Sequence, residues 1–124
     1  MRKILAVLFF TIITSVTFAG MNDNDKSKTI ECTGIYYANS MIPQGELELE
    51  KIVHSFAAKK FLSSYLLKEG VKEEKLNQEL LKVVDIRYGK PYEKETTKKC
   101  DEFIFKLISG SKDEIKKIAE SGIY

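Results

Sequence analysis

Residues 46–69 read ELELEKIVHSFAAKKFLSSYLLKE and form the longest segment of this 124-residue chain that contains neither Gly nor Pro. Their apolar side chains recur three and four positions apart, as expected on one face of an α-helix. That face consists of Leu49, Ile52, Val53, Phe56, Ser63 and Leu67, and is widened on later turns by Phe61, Leu62, Tyr65 and Leu66. Gly70 suits the left-handed conformation that ends many helices. The segment therefore predicts the longest and most apolar helix, which we expect at the centre of the fold.

Four shorter segments also favour helices. Residues 29–40 carry apolar and aromatic side chains at helical spacing, although Gly34 lowers their helix propensity. Two adjacent tyrosines and a β-branched isoleucine would also suit a strand. Pro91 fits the first turn of a helix, where no N–H is needed, and Ser111 with Glu114 fits a capping box. The side chains expected to face inward are Leu76, Leu80, Val83 and Val84 over 72–88, Thr96, Cys100, Phe103, Ile104 and Leu107 after Pro91, and Ile115, Ile118 and Ala119 in the last helix. The fold class is thus all-α, a small bundle of about five helices.

The start of the chain has the layout of an export signal. Arg2 and Lys3 precede an uncharged, largely apolar run that ends at the small residue Ala19. This run is about 16 residues long, which is shorter than the roughly 20 that a membrane-spanning helix needs. We therefore predict a signal peptide over 1–19 that is cleaved after Ala19, and a periplasmic location, with secretion beyond the outer membrane left open. A flexible polar lead-in over 20–28 and a single helical domain over 29–124 would follow.

The charge balance changes when this segment is removed. The whole chain has 20 basic and 18 acidic side chains, and Arg2 and Lys3 supply the basic excess. The remaining part is formally neutral with interspersed signs, so it has no field that would attract nucleic acid or anionic lipid. We expect neither nucleic acid as a partner nor stable membrane insertion after cleavage, and favour another periplasmic or envelope protein as the partner.

Cys32 and Cys100 are the only cysteines. In an exported chain an even pair indicates a disulfide, and the inward position of Cys100 supports one that links its helix to the Cys32 segment. Closing a loop of 68 residues would stabilise the fold by about 4 kcal/mol in the chain-entropy model. Redox pairs usually have the C-x-x-C spacing, and a metal site needs more ligands than one histidine adds. We expect no redox site, no metal and no cofactor.

The only histidine, His54, lies one helical turn after Glu50. A general base or a metal ligand would need a third partner, which the neighbouring sequence does not supply, so we interpret His54 as a residue at the margin of the core. The sequence has no nucleophile-elbow, metalloprotease, Walker or dinucleotide-binding motif. We therefore predict no catalytic residue, and a hydrolase centred on His54 is the less favoured hypothesis.

Residues 85–92, DIRYGKPY, are the best candidate for an interaction surface. They contain Arg87, the only arginine after the predicted signal, beside two tyrosines. Arginine and tyrosine are frequent anchors of binding surfaces. The candidate patch consists of Tyr36, Tyr37, Arg87, Tyr88 and Tyr92, with the first two included if the disulfide brings their segment close. In the alternative interpretation, Arg87 pairs with Asp85 or a backbone carbonyl, and the tyrosine rings pack the end of the bundle.

The chain resembles two kinds of exported helical protein in outline. Its early cysteine is followed by aromatic residues, in CTGIYY over 32–37, and its late cysteine stands in a lysine-rich segment, KKC over 98–100. A signal peptide with a one-disulfide helical domain is similar to the acid-stress periplasmic chaperones of the HdeA type, although the cysteine spacing here is wider. Periplasmic immunity proteins against peptidoglycan-attacking toxins share the general build. We expect a non-catalytic protein-interaction module, and the resemblance implies an acid-activated chaperone or an immunity-type inhibitor as alternatives.

Overall fold

The computed structural model describes residues 20–123, which form five α-helices. These are α1 (Asp23–Ser40), α2 (Leu49–Lys68), α3 (Glu73–Arg87), α4 (Lys94–Leu107) and α5 (Ser111–Ser121). This part of the chain has no strand, and Cys32 is bonded to Cys100. The predicted all-α bundle with one disulfide is therefore confirmed. Within the same range, none of the helices has the length and apolar character that membrane crossing requires. The signal peptide predicted over 1–19 lies outside the described residues.

Helix α1, and not α2, lies at the centre of the bundle. It packs against α2, α3 and α4, whereas α5 packs against α2 and α4. The buried residues of α1 are mostly small or polar and are Thr29, Cys32, Thr33, Gly34, Ile35, Tyr36, Ala38, Asn39 and Ser40. The hydroxyls of Thr29 and Thr33 donate to backbone carbonyls one turn earlier, so both groups are satisfied where they are buried. The expectation that the most apolar helix would be central is wrong, because small side chains let three neighbours approach α1.

Helix α1 also begins earlier than the sequence predicts. Asn22 caps it by accepting a hydrogen bond from the N–H of Asp25 at 2.8 Å, and Asp23 adds a second acidic group to the first turn. Residues 23–28 are therefore helical, which differs from the flexible lead-in predicted over 20–28. The whole of 29–40 is helical as well, so the strand alternative for that segment is wrong.

Gly34 lies at a close approach of α1 and α3. A β-carbon at this position would lie 2.5 Å from the Cβ of Val83, much closer than two carbon atoms can pack. The lack of a side chain therefore permits this crossing. Glycine costs about 1 kcal/mol relative to alanine in a helix interior, and the packing of α3 against α1 offsets that cost.

The buried face of α2 differs from the predicted one. Its buried residues are Ile52, Ser55, Ala57, Ala58, Leu62 and Leu66. Leu49, Phe56 and Leu67, which were expected to face inward, are exposed. The prediction is wrong for these three residues because helical spacing does not show which face of α2 meets its neighbours, and the buried face is a different one that carries small side chains such as Ser55 and Ala58.

The later helices follow the predicted pattern with local differences. Leu76, Leu80 and Val84 are buried in α3 as predicted. Helix α4 begins at Lys94, so Pro91 precedes the helix instead of opening it, and Thr97 is buried where Thr96 was expected. Gly110 is the N-cap of α5, while the Ser111 hydroxyl donates to the Ile104 carbonyl at 3.3 Å. The predicted capping box is therefore wrong, because the Ser111 side chain bonds across to α4.

Candidate functional site

The disulfide joins the centre of α1 to α4. Cys32 and Cys100 are both buried, with their Cα atoms 5.5 Å apart. They belong to the larger of two apolar clusters, which is built from residues of α1, α2, α4 and α5. The smaller cluster contains Leu66, Leu76 and Leu80 of α2 and α3. The disulfide therefore cross-links two helices inside the main core.

Tyr36 lies one turn beyond Cys32, on the same buried side of α1. Its side chain has an exposed fraction of 0%, and its hydroxyl donates a hydrogen bond to Oδ1 of Asp101 on α4. Burial, and secondly the neighbouring Asp101 charge, raises the pKa of Tyr36 far above its ordinary value of 10.0. The hydroxyl is therefore protonated over the whole physiological range and serves as a permanent donor.

His54 on α2 contacts the same carboxylate. Its Nε2 lies 3.1 Å from Oδ1 of Asp101, and its ring meets that of Tyr36 edge-on with centroids 5.8 Å apart. The side chains of His54 and Asp101 are 33% and 29% exposed. We name Tyr36, His54 and Asp101 the three-helix junction, because they connect α1, α2 and α4. The sequence suggested Glu50 as the neighbour of His54, but the structure places Asp101 there.

The three-helix junction is arranged as a packing contact. The Asp101 carboxylate accepts from Tyr36 and contacts His54 through the same atom, Oδ1, which is therefore engaged within the protein. The Tyr36 hydroxyl is buried and cannot reach a substrate. His54 does not line any of three surface clefts found within residues 20–123. His54 therefore lies at the margin of the core, in contact with Tyr36 and Asp101.

A surface cleft of about 500 Å³ lies between two loops, the one that follows α1 and the one that joins α3 to α4. We name it the loop cleft. It is lined by Ala38, Asn39, Met41, Ile42, Pro43, Glu46, Arg87, Tyr88, Gly89, Lys90, Pro91 and Tyr92. Three residues of the predicted patch, Arg87, Tyr88 and Tyr92, therefore come together on one concave surface.

Arg87 and Tyr88 have different environments within the loop cleft. The Tyr88 side chain is 74% exposed. Arg87 is only 15% exposed, and its Nη1 lies 3.0 Å from Oε1 of Glu93, which also accepts from the Thr96 hydroxyl. The hydrogen bond from Arg87, followed by that from Thr96, lowers the pKa of Glu93 below its usual 4.5. The partner of Arg87 is therefore Glu93, whereas the alternative interpretation expected Asp85 or a backbone carbonyl.

The remaining predicted patch residues are less accessible. Tyr92 is half-buried, and the Lys51 ammonium lies 5.5 Å from its ring centroid. Tyr37 is half-buried against the smaller apolar cluster, with the Lys59 ammonium 4.6 Å above its ring. Tyr36 belongs to the three-helix junction, as described above. The tyrosines of α1 therefore do not line the loop cleft.

Sequence reasoning missed the opposite wall of the loop cleft. Met41, Ile42 and Pro43 line it, and Met41 is 41% exposed. The sequence marks this segment as a loop because Pro43 and Gly45 stand close together. The available signal was the pair of apolar residues that directly precede the proline, since exposed apolar loop residues often mark contact surfaces.

A larger groove of about 880 Å³ runs along α1 and α3 and also reaches Arg87. Its apolar wall contains Ile30, Ile35, Val71, Val83 and Ile86, and charged side chains of both signs surround this wall. Within residues 20–123, no group of three or more His, Cys, Asp or Glu side chains is placed to hold a metal ion. The described part of the chain thus offers apolar and mixed-charge surfaces and no metal-ligand set.

Comparison of the chain with protein-family models, with curated proteins and with solved structures gives no match. The function must therefore be argued from the site.

Proposed function

We propose that this protein is an exported periplasmic binding module, without catalytic activity of its own, that holds a segment of another periplasmic or envelope protein in the loop cleft. The observation that carries the proposal is the exposed Tyr88 beside a concave surface whose opposite wall is Met41, Ile42 and Pro43. Tyrosine presents a large contact area with few rotatable bonds, and methionine adapts to an uneven partner surface. The cleft therefore combines an anchor with an adaptable wall.

Both sides of the loop cleft are attached to the helical core. Asn39, at the end of α1, donates from Nδ2 to the Thr97 hydroxyl on α4 at 3.0 Å. The ion pair of Arg87 with Glu93 connects the end of α3 to the start of α4. A surface that is already ordered loses less entropy when it binds, so these contacts favour affinity.

The lining of the cleft indicates the chemistry of its partner. Glu46 and Lys90 place one charge of each sign in a cleft that is otherwise lined mainly by apolar and aromatic side chains. Arg87 is half-buried and paired with Glu93, so Lys90 is the more accessible cation of the cleft lining. We expect an extended segment whose apolar side chain contacts Tyr88 and Met41 and whose carboxylate pairs with Lys90.

Affinity capture from periplasmic extract, followed by affinity measurement with the identified partner, tests the proposal. The matched variants are Tyr88→Ala, in the cleft, and Leu81→Ala, an exposed apolar residue of α3 that does not line it. We expect Tyr88→Ala to weaken binding at least tenfold, because anchor residues commonly contribute more than about 1.4 kcal/mol, and Leu81→Ala to bind like the wild type.

Equal affinity of the wild type and both variants would contradict the proposal. Arg87→Ala is informative as well, since equal recovery of the partner would show that Arg87 does not anchor it. A peptidoglycan-degrading enzyme as the partner would identify the immunity-type inhibitor among the alternatives.

The charge balance of the chain favours a second candidate, an acid-activated chaperone. In strong acid the 18 acidic side chains lose their charge while the basic ones keep theirs, and the resulting self-repulsion would loosen the helical bundle. Such a protein would loosen in acid and expose apolar surface to clients. Far-UV circular dichroism, oligomeric state and protection of an aggregating client are compared at pH 7 and pH 3. If all three are unchanged, this candidate is excluded, while the binding proposal stands.

A further inference from the structure

The first residues of the described chain contact the end of α2. The N–H of Met21 donates to Oε1 of Glu69 at 2.7 Å. A β-carbon on Gly20 would lie 2.8 Å from the same oxygen, so the backbone of Gly20 is close to this carboxylate. Glu69 is the C-cap residue of α2. The start of the α1 segment is therefore held against the end of α2 by one glutamate.

The Glu69 carboxylate has no ion-pair partner among residues 20–123. It lines a small cleft of about 310 Å³ with Gly20, Met21, Asn22, Asp25, Tyr65 and Leu107. The charged side chains of this lining, Asp25 and Glu69, are both acidic. Burial, and secondly the Glu69 charge, raises the pKa of Tyr65 above 10.0, so that side chain is neutral as well. A positive charge at Gly20 would face two carboxylates.

We propose that cleavage between Ala19 and Gly20 creates this charge, and that the new α-ammonium group of Gly20 pairs with Glu69. The inference rests on the export proposed above. In this step a signal peptidase adds water across the Ala19–Gly20 peptide bond, which leaves a carboxylate on Ala19 and an amine on Gly20. The amine takes up a proton at neutral pH, since the pKa of an α-amino group is about 7.7–8.0.

Processing and folding are thereby coupled. Before cleavage, the Gly20 nitrogen is a neutral amide and offers Glu69 no charge. After cleavage, an ammonium group meets a carboxylate that has no other ion-pair partner among residues 20–123, and the absence of a side chain on Gly20 leaves room for this approach. The contact therefore stabilises the mature chain and not its precursor.

Two measurements test the inference. The intact mass of protein recovered from the periplasm after expression of the full chain identifies the first residue. We expect a chain that starts at Gly20, and an uncleaved product or another first residue would overturn the proposed processing position. This result is independent of partner binding, so a failure here is distinguishable from a failure of the loop cleft as a binding site.

The second measurement compares the chain that starts at Gly20 with a free amine and with an acetylated one, which carries no charge. At pH 6.5 we expect the free amine to raise the folding equilibrium constant about two- to fivefold, as for other partly exposed ion pairs. In Glu69→Gln this difference should disappear, whereas Glu50→Gln, an exposed matched control on α2, should keep it. Equal stability of the free and acetylated wild-type chains would overturn the inference.

The pH dependence separates this ion pair from a general effect of acetylation. A neighbouring carboxylate raises the pKa of the α-amino group, so the stabilisation is complete below about pH 7.7 and is lost as pH rises through the raised value. The groups that face the amine are Asp25, Tyr65 and Glu69. We expect the difference between free and acetylated chains to vanish by pH 10, and a difference that persists unchanged there would contradict the pairing.

Discussion

The three-helix junction and the loop cleft use similar residues for different purposes. Each contains a tyrosine, a basic or imidazole side chain and a carboxylate. In the junction Tyr36 has an exposed fraction of 0% and donates to Asp101. In the cleft Tyr88 is 74% exposed, while Arg87 and Glu93 satisfy each other beside it. The first set joins helices, and the second leaves its aromatic ring available.

This difference shows what decides the role of a tyrosine in a small bundle. Tyr36 is fully buried in the main apolar cluster, so its hydroxyl requires a partner inside the protein. Tyr88 follows the last residue of α3, where the chain leaves the helix and faces solvent. The position of a tyrosine in the packed fold, and not its residue type, therefore decides whether it is buried in the core or exposed for binding.

Removing the disulfide is expected to cause the largest loss of stability, and it tests the region around the three-helix junction. The paired substitution Cys32→Ser with Cys100→Ser releases a loop of 68 residues and should lower the free energy of unfolding by about 4 kcal/mol. Urea unfolding followed by circular dichroism measures the loss, with the reduced wild-type chain as the control. A loss below about 1 kcal/mol would show that the core around the three-helix junction does not depend on this cross-link.

Two matched tyrosine substitutions compare the regions directly. Tyr36→Phe removes the hydroxyl that donates to Asp101 and should cost about 1.5–3 kcal/mol, because the acceptor is a carboxylate. Tyr88→Phe removes an exposed hydroxyl and should change the free energy of unfolding by less than about 0.5 kcal/mol. Thermal and urea unfolding of the two variants measure the contrast. Equal losses would mean that the buried Tyr36 hydroxyl contributes no more to stability than the exposed Tyr88 hydroxyl.

The close approach at Gly34 offers a smaller test within the interior region. Gly34→Ala gains helix propensity but forces a β-carbon to within 2.5 Å of the Cβ of Val83, so we expect a net loss of about 1–2 kcal/mol. Ser27→Ala, at an exposed position of the same helix, is the control and should be neutral or slightly stabilising. A stabilised Gly34→Ala variant would show that α1 and α3 do not pack this closely in solution.

The smallest effect is expected at the ion pair of the loop cleft. The pKa of Glu93 is lowered in the folded state, so its contribution to stability is present above about pH 4.5 and is lost as pH falls through the lowered value. The wild type should therefore be slightly more stable than Glu93→Gln at pH 7, and the two should converge in acid. Thermal unfolding from pH 7 to pH 3 measures this, and a constant difference would contradict the assignment.

The helices could be predicted from the sequence better than their contacts. Gly and Pro divide the chain into segments, and apolar spacing within them indicates helices, so four of the five helices lie close to their predicted ranges. The beginning of α1 was missed because Asp23–Lys28 is polar, and its helical conformation depends on the Asn22 cap. The exposure of Leu49 was missed because spacing alone does not show which face of α2 meets a neighbour.

The candidate sites were predictable only in part. Arg87, Tyr88 and Tyr92 were identified because arginine and tyrosine are concentrated in one short loop, and the structure places them on one cleft. The pairing of Tyr36 with Asp101 joins residues 65 positions apart in the sequence. Local spacing carries no information on such a contact. The same holds for the hydrogen bond between Met21 and Glu69.

The amino-acid sequence by itself determined the class of fold and its cross-link. Helical periodicity is a local property, and two cysteines in one chain can form only one intramolecular disulfide. The tertiary structure decided which helix is central, which apolar residues remain on the surface, and which polar side chains meet across helices. These features depend on how closely neighbouring backbones approach, and that distance is set by small residues such as Gly34, Ala57 and Ala58, whose contribution becomes visible only when the helices are packed.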